Sequence, residues 1–316
     1  MLASDDDWIW DCWPVDDGQS FHLFFLCAPK SLTPAERHFH ARVGHAVSPD
    51  LHTWTRVEDA VLPGSGGYDT RAVWTGCVIA DGDGWRMFRT GLMQGDTGIV
   101  QRIGCDLSDD LHTWRPDPSS GWPLRADPRW YEQSATDEHW RDPWVVADDT
   151  GRFHMYITAR VRGVGAGRGV IGHATSSDLI DWVVQPPLAD PGGFEQVEVI
   201  QTALIEGRWA LIFSCLGPEL APSAPGKGGI WSVEIDGPGA RVDLGRATRL
   251  TDESLYAGRL VRDRAGAWQL LAFVNEDEHH EFGGWICDPV PVQWGVDSLV
   301  VSPQPFTTDR PARTCR

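Results

Sequence analysis

Short runs of aromatic and β-branched residues recur along the whole chain, each preceded by a polar turn. The clearest set has five copies: HLFFLCA from His22, WRMFRTG from Trp85, FHMYITA from Phe153, WALIFSC from Trp209 and WQLLAFV from Trp268. Residues of this kind favour extended, half-buried backbone, so each run predicts a β-strand. The turns before them read DDGQS, DGDG, DDTGR, IEGR and DRAGA. Another strand-like run precedes each turn, so the pattern predicts five antiparallel hairpins in series. No apolar pattern of helical period interrupts them at useful length, and no helix is expected.

A second repeat, G-x-x-x-S-x-D-L-x-x-W, occurs as GHAVSPDLHTW (Gly44 to Trp54), GCDLSDDLHTW (Gly104 to Trp114) and GHATSSDLIDW (Gly172 to Trp182). Its Ser and Asp read as a turn closed by side-chain hydrogen bonds, and its Trp as packing between units. The unit is then strand, turn, strand, loop, strand ending in SxDLxxW, and a short fourth strand. Five units fill the chain, over residues 1–65, 66–138, 139–195, 196–254 and 255–316. Repeats of this length and strand content predict an all-β, five-bladed β-propeller with four-stranded blades, in a single domain.

Composition adds limits. Gly (34) and Pro (22) are plentiful among the 316 residues, which suits many tight turns. The 17 Trp suit either a packed core or flat faces for sugar rings. The formal charge, from 27 Lys and Arg against 45 Asp and Glu, is −18. Such a chain repels phosphate backbones and anionic bilayers, so neither nucleic acid nor membrane is an expected partner. The first residues, MLASDDDWIW, lack the basic and apolar regions of a secretory signal, and a cytoplasmic location is expected. Cys12, Cys27, Cys77, Cys105, Cys215, Cys287 and Cys315 are scattered, odd in number and without a CxxC. They read as buried thiols, not as disulfides or a zinc site, and no metal or cofactor is expected.

The repeat also ranks the acids. Counting back 11 residues from the start of each hydrophobic run reaches Asp11, Trp74, Asp142, Glu198 and Ala257. The first strand of a propeller blade lines the central channel, so three carboxylates at one repeat position are predicted to converge on one mouth. A carboxylate heading an apolar strand is costly unless it is used. Three in one pocket suit glycoside hydrolysis, in which one acid works ionised and another protonated at the same pH. Trp10, Trp13, Trp74 and Trp144 would supply flat apolar faces. Three other motifs read as structural: RGVGAGRG (Arg162 to Gly169) as a hairpin loop, HFH (His38 to His40) as strand alternation, and EDEHHEF (Glu276 to Phe282) as a solvated loop.

At these residues the chain resembles the five-bladed propeller enzymes of glycoside hydrolase families 32 and 68, which act on sucrose and fructans. HLFFLCAP and GHAVSPDLHTW resemble the first-blade segments of family 32. WDCWP at Trp10 to Pro14 is similar to the family 68 nucleophile motif, and WTGC at Trp74 to Cys77 to a stretch bordering the fructosyl subsite. WRDP at Trp140 to Pro143 resembles the shared RDP motif, whose Asp stabilises the transition state. EQVEV at Glu195 to Val199 resembles the acid/base segment. Three features depart from the family: there is no NDPNG, Val199 and Ile200 follow the acid/base position, and the fifth unit leaves no chain for a C-terminal β-sandwich. The resemblance implies a retaining double displacement on a β-fructofuranoside, such as sucrose or a fructo-oligosaccharide, by hydrolysis or fructosyl transfer. Asp11 would be the nucleophile, Glu198 the acid/base and Asp142 the stabiliser. Trp10, Trp13, Trp74, Thr75, Arg141, Glu195 and Tyr256 would line the substrate pocket. An arabinofuranosidase or xylosidase of the related families 43 and 62 stays open, as does a sugar-binding or biosynthetic propeller that keeps the three acids.

Overall fold

The computed structural model describes residues 1–302 apart from 120, 164 and 223–225. Cys315 and the end of the fifth unit, 303–316, lie outside the described residues. Five sheets of four antiparallel strands follow one another, each ordered inner to outer as the chain runs, and Asp137–Glu138 adds a short parallel pairing to the third strand of the second sheet. Blade 1 comprises Asp7–Asp16, Phe21–Pro29, Arg42–Ser48 and Thr55–Arg56; blade 2, Ala72–Asp81, Gly84–Leu92, Ile99–Ser108 and Arg115–Pro116; blade 3, Trp140–Ala147, Phe153–Arg160, Gly169–Ser176 and Val183–Gln185. Blade 4 comprises Glu198–Ile205, Arg208–Cys215, Gly229–Ile235 and Thr248–Arg249; blade 5, Leu255–Arg262, Trp268–Val274, Val290–Trp294 and Leu299–Val301. The expected five-bladed propeller is therefore observed, and the hydrophobic runs are the second strands. The inner strands pack on one another in ring order. The ring closes where Asp7–Asp16 meets Leu255–Arg262 and where Leu2 and Ile286 exchange backbone hydrogen bonds of 3.0 and 2.9 Å.

A blade buries its two faces only against its neighbours, so the core is divided among the blade interfaces. Phe88, Ile103, Trp140, Met155 and Ile157 fill one between blades 2 and 3; Ile212, Ile230, Leu260 and Leu270 fill another between blades 4 and 5. The SxDLxxW element joins these interfaces to the turns. Asp50, Asp110 and Asp178 each accept two backbone amides, and Leu51, Leu111 and Leu179 take a positive φ to complete the turn. Trp114 then stacks edge-on against Phe24 of blade 1, and Trp182 against Phe88 of blade 2. The motif glycine has a steric reason: a Cβ on Gly104 would sit 1.9 Å from the Tyr68 ring. Phe88→Ala is expected to cost about 3–5 kcal/mol, because it empties a fully buried site between two blades. Urea denaturation measures it.

Among the described residues there is no α-helix, only 3₁₀ turns at Glu36–His40, Gly217–Glu219 and Leu244–Arg246. His38 to His40 therefore closes a turn and is not strand. Glu36 accepts from the Thr33 amide at 2.9 Å and from its hydroxyl at 2.7 Å, a local capping that outcompetes extended backbone. RGVGAGRG is the expected hairpin loop, joining the second and third strands of blade 3, with Val164 outside the described residues. The 276–282 loop is largely exposed; its Phe282 packs on Trp8 and Phe273. Cys12, Cys27, Cys77, Cys105, Cys215 and Cys287 are free and buried.

Candidate active site

Each inner strand breaks register with its neighbour near its head. The breaks follow Trp10, Trp74, Arg141, Glu198 and Tyr256. A bulge of this kind turns successive side chains toward the same side. The five residues before the bulge all line one cavity of about 360 Å³, within the range of small-molecule sites. The bulge residues that follow are Asp11, Thr75, Asp142, Val199 and Ala257. Four of these, Asp11, Asp142, Val199 and Ala257, take φ of 33°, 56°, 52° and 51°. Such backbone is costly without support. Hydroxyls from the preceding blade supply some of it: Thr90 Oγ1 accepts the Asp142 amide at 2.9 Å, and Ser214 Oγ accepts the Ala257 amide at 3.0 Å.

This register corrects the equivalence of the three acids. Asp11 and Asp142 share the bulge position, whereas Glu198 stands one residue earlier, level with Trp10, Trp74, Arg141 and Tyr256. The cause is hairpin length. Blades 2 and 4 turn tightly on Gly82–Asp83 and Glu206–Gly207, while blades 3 and 5 use longer turns. A fixed count back from the second strand therefore lands one residue early in blades 2 and 4. Convergence itself holds: Asp11, Asp142 and Glu198 line the same cavity.

Arg141 is the hub of the site. Its Nη2 donates to Glu198 Oε1 at 2.5 Å and to Gln196 Oε1 at 2.8 Å, and its Nε lies 3.4 Å from Asp142 Oδ2. Tyr256 donates its hydroxyl to the other Glu198 oxygen. The Thr158 hydroxyl lies 3.0 Å from Asp142 Oδ2, and Thr75 donates to Asp11 Oδ2. Burial raises Asp11 to about 7; the charges of Asp142 and Glu198 add to this, while Thr75 and Arg37 oppose it. Burial likewise raises Asp142 to about 6 against the pull of Arg141. Thr75→Val removes the hydroxyl that holds Asp11 ionised. The acidic limb of kcat/KM is expected to move up by about one pH unit, the equivalent of one hydrogen bond to a charged group. A pH–rate profile of the variant checks this.

Eight of the ten expected site residues are in the cavity: Trp10, Asp11, Trp74, Thr75, Arg141, Asp142, Glu198 and Tyr256. Trp13 is not. It is 1% exposed and stacks on Phe24 at 6.4 Å inside the blade interface, because the bulge at Asp11 resets the alternation of the strand. Glu195 is also elsewhere; it accepts the Gly167 amide at 2.5 Å and faces Arg160. An odd offset from Glu198 sends it to the opposite side. Trp144 lies outside the cavity too, bonded to Thr202 Oγ1 at 3.3 Å, with the Arg259 guanidinium 5.3 Å from its ring. Arg259 is fully buried and donates to backbone carbonyls of Gly76, Val199 and Ile200, which ties blades 2, 4 and 5.

The sequence reading missed Arg37, His38, Gln101, His139, Gln196, Glu219 and Asn275, all of which line the cavity. His139 and Gln196 had a signal, since each stands two residues before a recognised site residue and so shares its face. The others come from loops or a third strand. The 3₁₀ turn carrying Arg37 and His38 is fastened over the mouth by Trp74 Nε1, which donates to the His38 carbonyl at 2.6 Å. Burial and the adjacent Arg37 and Arg141 lower His38 to about 3, so the ring is neutral at neutral pH.

Five inner strands and their loops thus gather Asp11, Asp142, Glu198 and Glu219 at one end of the channel, and this defines an acid-mouthed β-propeller. The chain belongs to the family 32 glycosyl hydrolases: the profile of "Glycosyl hydrolases family 32 N-terminal domain" matches residues 11–285. Among curated proteins, the extracellular sucrase of Zymomonas mobilis is 27% identical over 180 residues, 51% of this chain and 43% of the relative. The match therefore spans less than half of that relative's length. Among solved structures, inulosucrase from Halalkalicoccus jeotgali bound to kestose superposes with a TM-score of 0.74 at 19% identity, over 99% of this chain and 92% of that one. Sucrose-6-phosphate hydrolase from Lactobacillus gasseri gives 0.74 at 16% identity, over 95% and 63%. At these identities the likeness is one of fold.

Proposed function

We propose that this chain is a retaining glycosidase that acts on a β-fructofuranoside, sucrose or a short fructo-oligosaccharide, by double displacement. The observation that carries the reading is the entry of Asp11, Asp142 and Glu198 into one cavity from blades 1, 3 and 4 of a family 32 chain. Asp11, bound by Thr75, attacks the anomeric carbon as its carboxylate. The bond to the leaving oxygen breaks, and that oxygen takes a proton from Glu198. Glu198 then removes a proton from water or an acceptor sugar, which attacks the anomeric carbon and frees Asp11. Asp142, set between Arg141 and Thr158, accepts hydrogen bonds from ring hydroxyls that strengthen as positive charge develops on the ring. Trp10 and Trp74 border the sugar.

Sucrose, kestose and an aryl arabinofuranoside, followed by NMR during turnover, test this directly. The expected result is β-configured fructose, or a fructosyl-transfer product, as the first species formed. Release of arabinose alone, an inverted product, or no release from any fructoside would overturn the reading.

A further inference from the structure

Glu219 is a carboxylate that the three-acid scheme does not use. It ends the 3₁₀ turn after the second strand of blade 4 and lines the same cavity as Glu198. Its backbone is held on both sides. The Glu219 amide donates to the Leu216 carbonyl at 3.0 Å, and the Glu219 carbonyl accepts the Glu195 amide at 2.7 Å. Its carboxyl accepts a backbone hydrogen bond from Leu216, but Oε2 is buried without a hydrogen-bond partner. An ionised oxygen in that position is expensive, and a protonated carboxyl removes most of the cost.

Glu198 presents the complementary problem. One oxygen accepts from Arg141 and the other from Tyr256, so each already has a donor aimed at it, one of them a charged guanidinium. Yet the first step needs a proton on the leaving oxygen. We infer that Glu219 is the resting site of this proton and hands it to Glu198 as the leaving group departs. It is a positioning residue that acts through Glu198, and the inference rests on the glycosidase reading above.

The protons balance. In the first step the proton passes from Glu219 to Glu198 and on to the leaving oxygen, while the anomeric carbon–oxygen bond breaks and the bond to Asp11 forms. Glu219 is left as a carboxylate. In the second step water loses a proton to Glu198, its oxygen bonds the anomeric carbon, the bond to Asp11 breaks, and the proton returns to Glu219. Burial and the negative charge of Glu198 push Glu219 up to about 7 against the pull of Arg141, which agrees with a proton held there at neutral pH.

The test compares Glu219→Gln, Glu219→Asp and the unaltered full chain on two substrates: sucrose, whose leaving oxygen needs a proton, and fructosyl fluoride, whose leaving group does not. Glu219→Gln is expected to lower kcat on sucrose about 10²-fold with little change in KM, to lower it far less on the fluoride, and to move the basic limb of the sucrose profile to lower pH. Glu219→Asp should recover part of the loss. A ¹³C-NMR titration of the glutamate carboxyls, made without substrate, should show one resonance titrating near pH 7 that is missing from Glu219→Gln. Equal losses on both substrates, unchanged sucrose turnover, or no such resonance would overturn the role of Glu219 and leave the glycosidase reading standing. An unaltered chain inactive on both fructosides would overturn the two together.

Discussion

Asp11→Ala is expected to lower turnover of every glycoside that the protein cleaves by at least about 10⁴-fold, with the propeller still folded. The size follows from the role. Without the nucleophile no covalent intermediate forms, and only binding and charge stabilisation remain. Asp11→Asn separates chemistry from stability, because the amide can still accept from Thr75. An ordinary Asp ionises near 3.8, whereas Asp11 holds its proton up to about 7. Between these values the folded chain keeps a proton that the unfolded chain has lost, so Asp11 lowers stability progressively as pH rises from about 4 to about 7. The Asn variant has no charge to bury. It is expected to be more stable than the unaltered protein at pH 8, by on the order of 2–4 kcal/mol, and to have no such advantage at pH 4. Thermal unfolding at both pH values, beside a turnover assay, decides it. Full activity in either variant, or a stability difference independent of pH, would refute the assignment.

Glu198→Ala carries the second large effect, a loss of about 10²–10⁴-fold on sucrose. Its signature is uneven. Fructosyl fluoride should still form the covalent intermediate on Asp11, because fluoride leaves unprotonated, and release should become the slow step. A burst of fluoride followed by a slow steady state is the expected trace, and azide should speed the slow phase by attacking without base assistance. Glu198→Gln serves as the control, since it can still accept from Arg141. An inactive Ala variant with an active Gln variant would mean that Glu198 holds Arg141 in place and moves no proton.

Much of this site was legible from the repeat, for a physical reason. The inner strand of a propeller blade has one place to point, so a residue located on the repeat is located in space. That logic reached Asp11, Trp74, Asp142 and Glu198; adjacency to them suggested Trp10, and Thr75, Arg141 and Tyr256 came from the family resemblance. It failed at Trp13 because a bulge breaks the two-residue alternation, and simple counting does not see a bulge. It also merged Glu198 with the two aspartates, because hairpin length varies between blades. Arg37, Glu219 and Asn275 were beyond it altogether. They sit on connections that differ from blade to blade, and a loop side chain is placed by packing that no repeat encodes.

The bulge belongs to the blade and not to the acid. The register break recurs in all five blades, and the residue after it is Asp in blades 1 and 3, Thr in blade 2, Val in blade 4 and Ala in blade 5, with a positive φ in every blade but the second. The propeller therefore resembles a five-position turret in which function is a matter of which sockets are loaded. A polar group placed at Val199 or Ala257 would start from a ready-made pedestal, with no strand to rebuild. A single substitution there would change the chemistry offered by the ring and leave its backbone in place.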